Sequence, residues 1–523
     1  MHWAQRIADE IIAREDKQAY VCAAGISPSG SVHIGNFRDV VTAWFVCVAL
    51  RKRGKQARLL FSWDEYDRMR KVPANVAEVR GDFAQYIGMP LAEVPDPFGC
   101  CANYAAHFER EFERALAAFG IQAEYRYQYR EYQSGRYQPH IVTALHRRGE
   151  IFDIIDQFRT QERAEGEREA YYPVSVYCPA CGKDSTSVTE YDEATERARY
   201  RCACGYSGVF DFQADRHCKL SWKTDWPMRW MVEGVDFEPG GKDHSSPTGS
   251  FATSKLISES VFGFRPPVYA SYEFIGIKGA TGKMSGSTGL NLTPQALFKL
   301  YQPEVILWLY AKTDPMKAFN YCFDEEILRQ YFEFDKALTA VRGGSANELT
   351  REVMEYCAIP GREVQAVPMA QLVSFGSIVE FDPAMLETIF AKIGAPFTQT
   401  DFAERVGLAK YWLYQCSPES IYRLRESPDR EYFDALAEEE QAEIRLLRKY
   451  LVEGSYDLDG LQAFLYAVPT QIRGELDPAA LKKCQAGFFK NVYRLLIGAD
   501  RGPRLYLFLY ALERESYIGL LGF

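Results

Sequence analysis

The chain has 523 residues, 47% of them hydrophobic and 25% charged, with a formal net charge of −10. That composition excludes disordered and collagen-like classes, and the length predicts two to four domains rather than one core. The acidic balance argues against a non-specific nucleic-acid coat but leaves room for a local basic face.

Thirteen cysteines, an odd count with no signal-peptide pattern at the start, point to reduced thiols or metal ligands rather than a disulfide framework. No apolar run is long enough to span a bilayer, so a cytoplasmic protein without membrane contact is expected. Basic clusters at Arg51 to Arg58, Arg445 to Lys449 and Lys482 to Arg504 read as solvated helix faces.

In chain order, Gln18 to Gly25 is an apolar run of strand length and Phe37 to Leu50 reads as a buried helix. Between them lies S-P-S-G-S-V-H-I-G-N, Ser27 to Asn36. A strand, a Gly/Ser/Pro turn and a helix form the first half of a nucleotide-binding unit, with backbone N–H groups and the helix dipole aimed at phosphate. Gly30 and Gly35 allow close approach of a ligand to the backbone. Ala57 to Trp63 predicts a second parallel strand, and Asp64-Glu65-Tyr66-Asp67 follows at its ligand-binding end. This acidic cluster suits either a substrate ammonium or a helix cap.

From about Pro95 to Phe212 an insertion is expected. It contains Cys178 and Cys181 in one pair and Cys202 and Cys204 in another, each followed by glycine. This spacing predicts a closed, tetrahedral structural zinc site on a small β-ribbon. His217 and Cys218 are further candidates, with Cys218 read as packed. The sheet is expected to resume over Leu220 to Met231, where Trp222, Trp226 and Trp230 beside Asp225 and Arg229 suggest a pocket wall. Pro239 to His244 and Thr248 to Ser250 are polar loops, and Tyr272-Glu273 ends another strand. Lys278 to Leu290 carries Lys283 among glycines and hydroxyl residues, suited to closing over pyrophosphate. Beyond Leu297 the pattern is amphipathic helix, as at Glu431 to Tyr450 and Lys483 to Arg494.

His33-Ile34-Gly35-Asn36 resembles the H-I-G-H signature of class I aminoacyl-tRNA synthetases, and Lys283-Met284-Ser285-Gly286-Ser287 resembles their K-M-S-K-S. The two stand in the right order, about 250 residues apart. The resemblance is closest to the class I lysyl-tRNA synthetases and spans nearly the whole chain, through W-D-E-Y-D-R-M-R-K-V-P, the four cysteines, L-S-W-K-T-D-W-P-M-R-W, F-E-P-G-G-K-D-H and F-F-K-N-V-Y-R-L-L-I-G-A-D-R-G-P-R-L.

The resemblance implies an α/β fold, a Rossmann-type parallel-sheet catalytic domain with a zinc-binding insertion, followed by an all-α anticodon-binding domain. The expected boundaries are 1–95 and 216–296 for the catalytic halves, 96–215 for the insertion, 297–355 for a helical stem-contact region and 356–523 for the anticodon domain. It implies L-lysine, tRNA(Lys), ATP with Mg2+ and structural Zn2+ as ligands of a monomer that binds no DNA.

His33, Asn36, Lys283, Ser285 and Ser287 take the catalytic positions, and Pro28, Ser29, Gly30, Gly35, Lys283 and Asp243 the ATP positions. Gly25, Ser27, Asp64, Trp222, His244 and Tyr272 take the lysine positions, with Asp64 the anion for the ε-ammonium. Gly286 replaces the second signature Lys and Asn36 the last His, leaving Lys283 the main loop cation. A glutamyl-like synthetase, marked by a pocket Arg, and a non-catalytic RNA-binding paralogue are the alternatives.

Overall fold

The computed structural model describes residues 1–159, 162–279 and 292–523. They form two compact units, one of residues 1–298, 303–321 and 344–362, the other of 299–302, 322–343 and 363–523.

The first unit is built on a parallel sheet. Its strands are β1 (Ala19–Ile26), β2 (Gln56–Trp63), β3 (Glu124–Tyr127), and later β9 (Phe237–Gly241) and β10 (Val268–Tyr272), in the spatial order β10-β9-β1-β2-β3. Taken in chain order this is the 3-2-1-4-5 arrangement of a doubly wound fold, and the order reverses between β1 and β9. The residues explain the placement: A-Y-V-C-A-A-G-I in β1 is apolar on both faces, as a strand covered on both sides must be. Helix α1 (Trp3–Arg14) packs on α2 (Ile34–Lys52), whose apolar run buries residues on every face. The buried Arg38 of α2 donates to the carbonyls of Glu273, Asp314 and Lys317 at 3.1, 3.0 and 2.9 Å, fixing the helix to the chain that follows β10.

Two expectations need correction. The stretch 96–215 is not wholly an insertion, because helix Tyr104–Ala118 leads into β3, which pairs with β2 in the main sheet. E-Y-R-Y is a short, charged edge strand with little apolar signal. The sheet also does not resume over Leu220 to Met231: only Cys218–Leu220 (β8) is extended there, pairing with β4 (Val174–Val176) outside the main sheet, and Trp222–Glu233 is a helix. Its three tryptophans recur every fourth residue and so form one helical stripe. Pro227 would orphan the Lys223 carbonyl, and Ser254 Oγ donates to that carbonyl instead at 3.1 Å. Gly234, in the left-handed region, ends the helix. Between β4 and β8, the strands β5 (Thr186–Asp192), β6 (Arg197–Cys202) and β7 (Ser207–Asp211) form an antiparallel ribbon.

The regular elements of the second unit's described residues are helices joined by short loops. The amphipathic run expected over Glu431 to Tyr450 breaks into Arg430–Asp434 and Glu438–Glu453, because Glu440 reaches back to the Ala437 N–H at 3.1 Å and starts a new helix. The unit is centred on Arg405, 1% exposed, which donates to both oxygens of Asp335 at 2.7 and 2.8 Å and to Gln302 Oε1 at 2.6 Å. This pairing ties residues 299–302 and 322–343 into the second unit. No helix among the described residues is long and apolar enough to cross a membrane.

Removing one member of a buried ion pair leaves the other charged and unsolvated. Asp335→Ala should therefore destabilise the helical unit by about 3–5 kcal/mol in urea unfolding followed at tryptophan, with Arg405→Ala giving a similar loss.

Candidate active site

Where the order of the parallel sheet reverses, the chain encloses a cavity of about 130 Å³. The strand ends Gly25–Ile26 and Gly240–Gly241 border it, with Asn36 and Asp39 of α2 on one side and Trp222, Trp226, Arg229 and Trp230 on another. Ligands of open α/β sheets bind at this crevice beyond the carboxyl ends of the strands. Trp222 and Trp226 stack at 5.1 Å, Trp226 and Trp230 meet at 4.9 Å, and His244 stands edge-on to Trp226 at 6.0 Å. The wall is thus a sheet of aromatic rings, suited to an alkyl chain.

The charges are divided unequally. Arg229, 6% exposed, binds Asp64 through one terminal nitrogen and Asp225 through the other. Tyr132 adds a hydroxyl donor to Asp225. Asp64, expected to receive a substrate cation, is therefore already matched by an internal guanidinium, and Arg229 opposes the upward push of burial on its carboxyl. The rest of the acidic cluster is also committed: Glu65 accepts the Gln128 and Tyr129 N–H groups at 2.9 Å each, and Asp67 binds Lys219.

Asp39 and Glu238 are different. Asp39 is 7% exposed and, among the described residues, accepts from neutral donors, the Gly25 N–H at 3.3 Å and the Tyr272 hydroxyl. Glu238, 9% exposed, accepts from Trp230 Nε1 at 2.6 Å. No Lys or Arg among the described residues forms an ion pair with either. Burial, reinforced by Glu238, raises the Asp39 carboxyl well above its ordinary range, and burial raises Glu238 to about 7. Two buried carboxyls that repel one another and line a cavity are chemically suited to receive a cation. Trp222 Nε1 and Arg229 Nε, both buried, lack a hydrogen-bond partner among the described residues. They offer donors to an anionic group of the same ligand.

The turn between β1 and α2 supplies a phosphate-facing edge. His33 caps α2, its Nδ1 accepting from the N–H groups of Gly35 and Asn36 at 3.1 and 3.3 Å. Acceptance at Nδ1 fixes the neutral tautomer with its proton on Nε2, so the ring keeps a donor. A β-carbon at Gly35 would lie 2.9 Å from the His33 ring, so the cap requires glycine there. The first N–H of the helix, on Ile34, donates to the Leu292 carbonyl at 2.9 Å. Leu292 is the first described residue after the K-M-S-G-S stretch; Lys283, Ser285 and Ser287 lie outside the described residues.

Five of the six lysine-position residues, Gly25, Asp64, Trp222, His244 and Tyr272, line the one cavity, together with Asn36. Ser27 does not, nor do Pro28, Ser29, Gly30, His33 and Gly35, which form the neighbouring turn, nor Asp243, which is exposed after β9. Asp39 and Glu238 escape sequence reasoning. The available signal is a carboxylate inside the otherwise apolar helix run F-R-D-V-V, and an acid in the middle of the strand F-E-P-G-G.

In the insertion, the sulfurs of Cys178, Cys181, Cys202 and Cys204 all lie within 4.8 Å of one another, with 3.7 Å between Cys178 and Cys204 and 3.6 Å between Cys181 and Cys202. Gly182 and Gly205 have φ of 71° and 94°, the left-handed turns that fold each pair around a common centre. A tetrahedron of thiolates at about 2.3 Å from a metal has edges of about 3.8 Å, so this group fits a bound ion. Backbone and neighbouring thiol donors lower Cys204 to about 7, which favours the ligating thiolate.

A 3-2-1-4-5 parallel sheet with a capped glycine turn and a cavity at its reversal defines a nucleotide-binding α/β domain. Residues 1–359 match the family described as tRNA synthetases class I (K), and the chain belongs to that family. It is 38% identical to a lysine–tRNA ligase of Treponema pallidum over 97% of this chain and 95% of that one. It is 35% identical to a lysine–tRNA ligase of Pyrococcus horikoshii, covering 99% of this chain and 98% of the relative. A solved glutamate–tRNA synthetase of Elizabethkingia anophelis aligns over 97% of this chain and 99% of its own at 11% identity and a TM-score of 0.44, too remote to bear on substrate.

The raised Glu238 has a consequence for stability. Between its ordinary 4.5 and about 7, the folded chain holds a proton that the unfolded chain has released, so stability without ligand falls as pH rises through this window. Glu238→Gln should flatten the fall in Tm over this range, removing up to about 1.4 kcal/mol per pH unit, as read by calorimetry.

Proposed function

We propose that this chain is a lysine–tRNA ligase, joining L-lysine to tRNA(Lys) through a lysyl-adenylate. The observation that carries the choice of amino acid is the pair of buried carboxyls, Asp39 and Glu238, beside an aromatic wall, neither of which forms an ion pair with a Lys or Arg among the described residues. The lysine ε-ammonium docks on Asp39 and the Tyr272 hydroxyl, its stem lies along Trp222 and Trp226, and the burial that keeps these acids protonated is offset by the arriving charge. A glutamyl-like pocket would need an uncommitted arginine. The cavity's one arginine, Arg229, is shared between Asp64 and Asp225.

In the first step, a lysine carboxylate oxygen attacks the α-phosphorus of ATP and the bond to the β-phosphate breaks, pyrophosphate leaving with the charge. In the second, a terminal ribose hydroxyl of the tRNA attacks the lysyl carbonyl and AMP departs. His33, through Nε2–H, and Asn36 meet the phosphates at the start of α2, and Gly35 and the turn from Pro28 to Gly30 shape the adenine and phosphate bed. Lys283, Ser285 and Ser287, at the positions of the second signature, supply the further contacts to the phosphates. Mg2+ neutralises phosphate charge when bound. The four-cysteine ion is Zn2+, holding the ribbon, and the helical unit reads the anticodon of the tRNA. The protein acts as a cytoplasmic monomer.

Charging of a tRNA(Lys) transcript by the purified protein tests the reading: lysine is expected to be accepted and glutamate refused, and the reverse would overturn it. Asp39→Asn should raise KM for lysine about 100-fold or more, the effect of removing a desolvated charge partner, while Asp64→Asn should instead destabilise the fold. Lys283→Ala should lower the rate of lysyl-adenylate formation about 100- to 1000-fold.

A further inference from the structure

Arg38 and Asp39 are consecutive in α2, and they hold two consecutive residues where β10 ends. Asp39 accepts the Tyr272 hydroxyl, and Arg38 Nη1 donates to the Glu273 carbonyl at 3.1 Å. One bond fixes the side chain of the first residue and the other the backbone of the next. Asp39 and Tyr272 line the cavity, whereas Arg38, 2% exposed, does not.

The guanidinium is committed to backbone. Its Nη2 donates to the Asp314 and Lys317 carbonyls at 3.0 and 2.9 Å. Those carbonyls bound a turn closed by the Lys317 N–H on the Asp314 carbonyl at 2.8 Å, with Pro315 where a fixed φ favours the bend. The Glu273 N–H donates to the Pro315 carbonyl, also at 2.8 Å. Glu273 is therefore gripped at its N–H by the turn and at its carbonyl by Arg38. The Tyr272 carbonyl before it accepts the Lys242 N–H at 3.1 Å. A buried guanidinium with carbonyls for acceptors carries a desolvation cost that simple packing of a helix on a turn does not require. Its effect here is to fix the chain on the far side of Tyr272.

We propose that Arg38 is a positioning residue for amino-acid binding: by fixing the Glu273 carbonyl it sets where the Tyr272 hydroxyl stands against Asp39, the two groups that receive the ε-ammonium. This inference rests on the functional reading above. Arg38 touches no substrate and acts through Tyr272. The role needs the rigid fork of a guanidinium, which reaches three carbonyls from two nitrogens; an ammonium on a flexible stem cannot reproduce that geometry.

Equilibrium dialysis of the full-length protein against radiolabelled lysine and, separately, ATP tests this without turnover. Arg38→Lys should weaken lysine binding about 10- to 100-fold, the scale of a displacement of about 1 Å, and leave ATP binding close to wild type. Pro315→Gly, outside the cavity, loosens the turn and should weaken lysine binding by a smaller factor, a second route should Arg38→Lys fold poorly. Val46→Ala, buried in the same helix, should lower Tm and leave lysine binding unchanged, which separates positioning from loss of stability. Tyr272→Phe should weaken lysine binding, and adding Arg38→Lys to it should weaken it no further, because both act through one hydroxyl. Wild-type affinity for lysine in both Arg38→Lys and Pro315→Gly, or losses that add in the double variant, would overturn the inference alone. Wild-type protein that binds no lysine would overturn the functional reading together with it.

Discussion

Arg229 sets the chemistry of the catalytic cleft. By binding Asp64 and Asp225 together, it commits the acidic wall of the cavity to an internal network of one guanidinium and two carboxylates, whereas neither Asp39 nor Glu238 forms an ion pair with a Lys or Arg among the described residues. The buried guanidinium is itself held from the far side: Tyr132 binds Asp225 and accepts the Leu220 N–H at 3.2 Å. Lys219, the neighbouring residue on β8, reaches back to Asp67. The chain that carries the cysteine ribbon is thus tied through β8 to the wall of the cavity.

Much of this arrangement is legible in the sequence, and the exceptions share a cause. The H-I-G-N turn, its flanking strand and helix, the second parallel strand and the four-cysteine ribbon follow from local patterns: an apolar period, a glycine turn, a cysteine spacing. That Asp64 is ion-paired while Asp39 is held by no Lys or Arg among the described residues does not. It depends on which acid has found a partner, and the partner of Asp64 lies 165 residues away in a helix. The tryptophans at 222, 226 and 230 are readable as a pocket wall, but Pro227 hides their helix. What restores that helix is the Ser254 hydroxyl, supplied by a different helix. β3 disappears into the expected insertion because a charged edge strand carries almost no pattern. The inclusion of residues 299–302 and 322–343 in the helical unit likewise rests on long-range pairing of Arg405 with Gln302 and Asp335 that no local periodicity announces.

The glycine turn shows the opposite case, in which sequence and site coincide closely. His33 caps the helix: its ring accepts from the Gly35 and Asn36 N–H groups through Nδ1, which places the ring proton on Nε2. A larger residue at position 35 would collide with that ring and spoil the cap.

The measurement that tests this account most directly is calorimetry of lysine binding near pH 6 in buffers of different ionisation enthalpy. If the ε-ammonium docks on carboxyls that burial keeps protonated, lysine binding must release protons to the buffer. The release should shrink in Glu238→Gln and in Asp39→Asn, with Asp64 uninvolved. Binding of lysine with no net proton release, or of glutamate in its place, would contradict the assignment of Asp39 and Glu238 as the substrate's counter-charge.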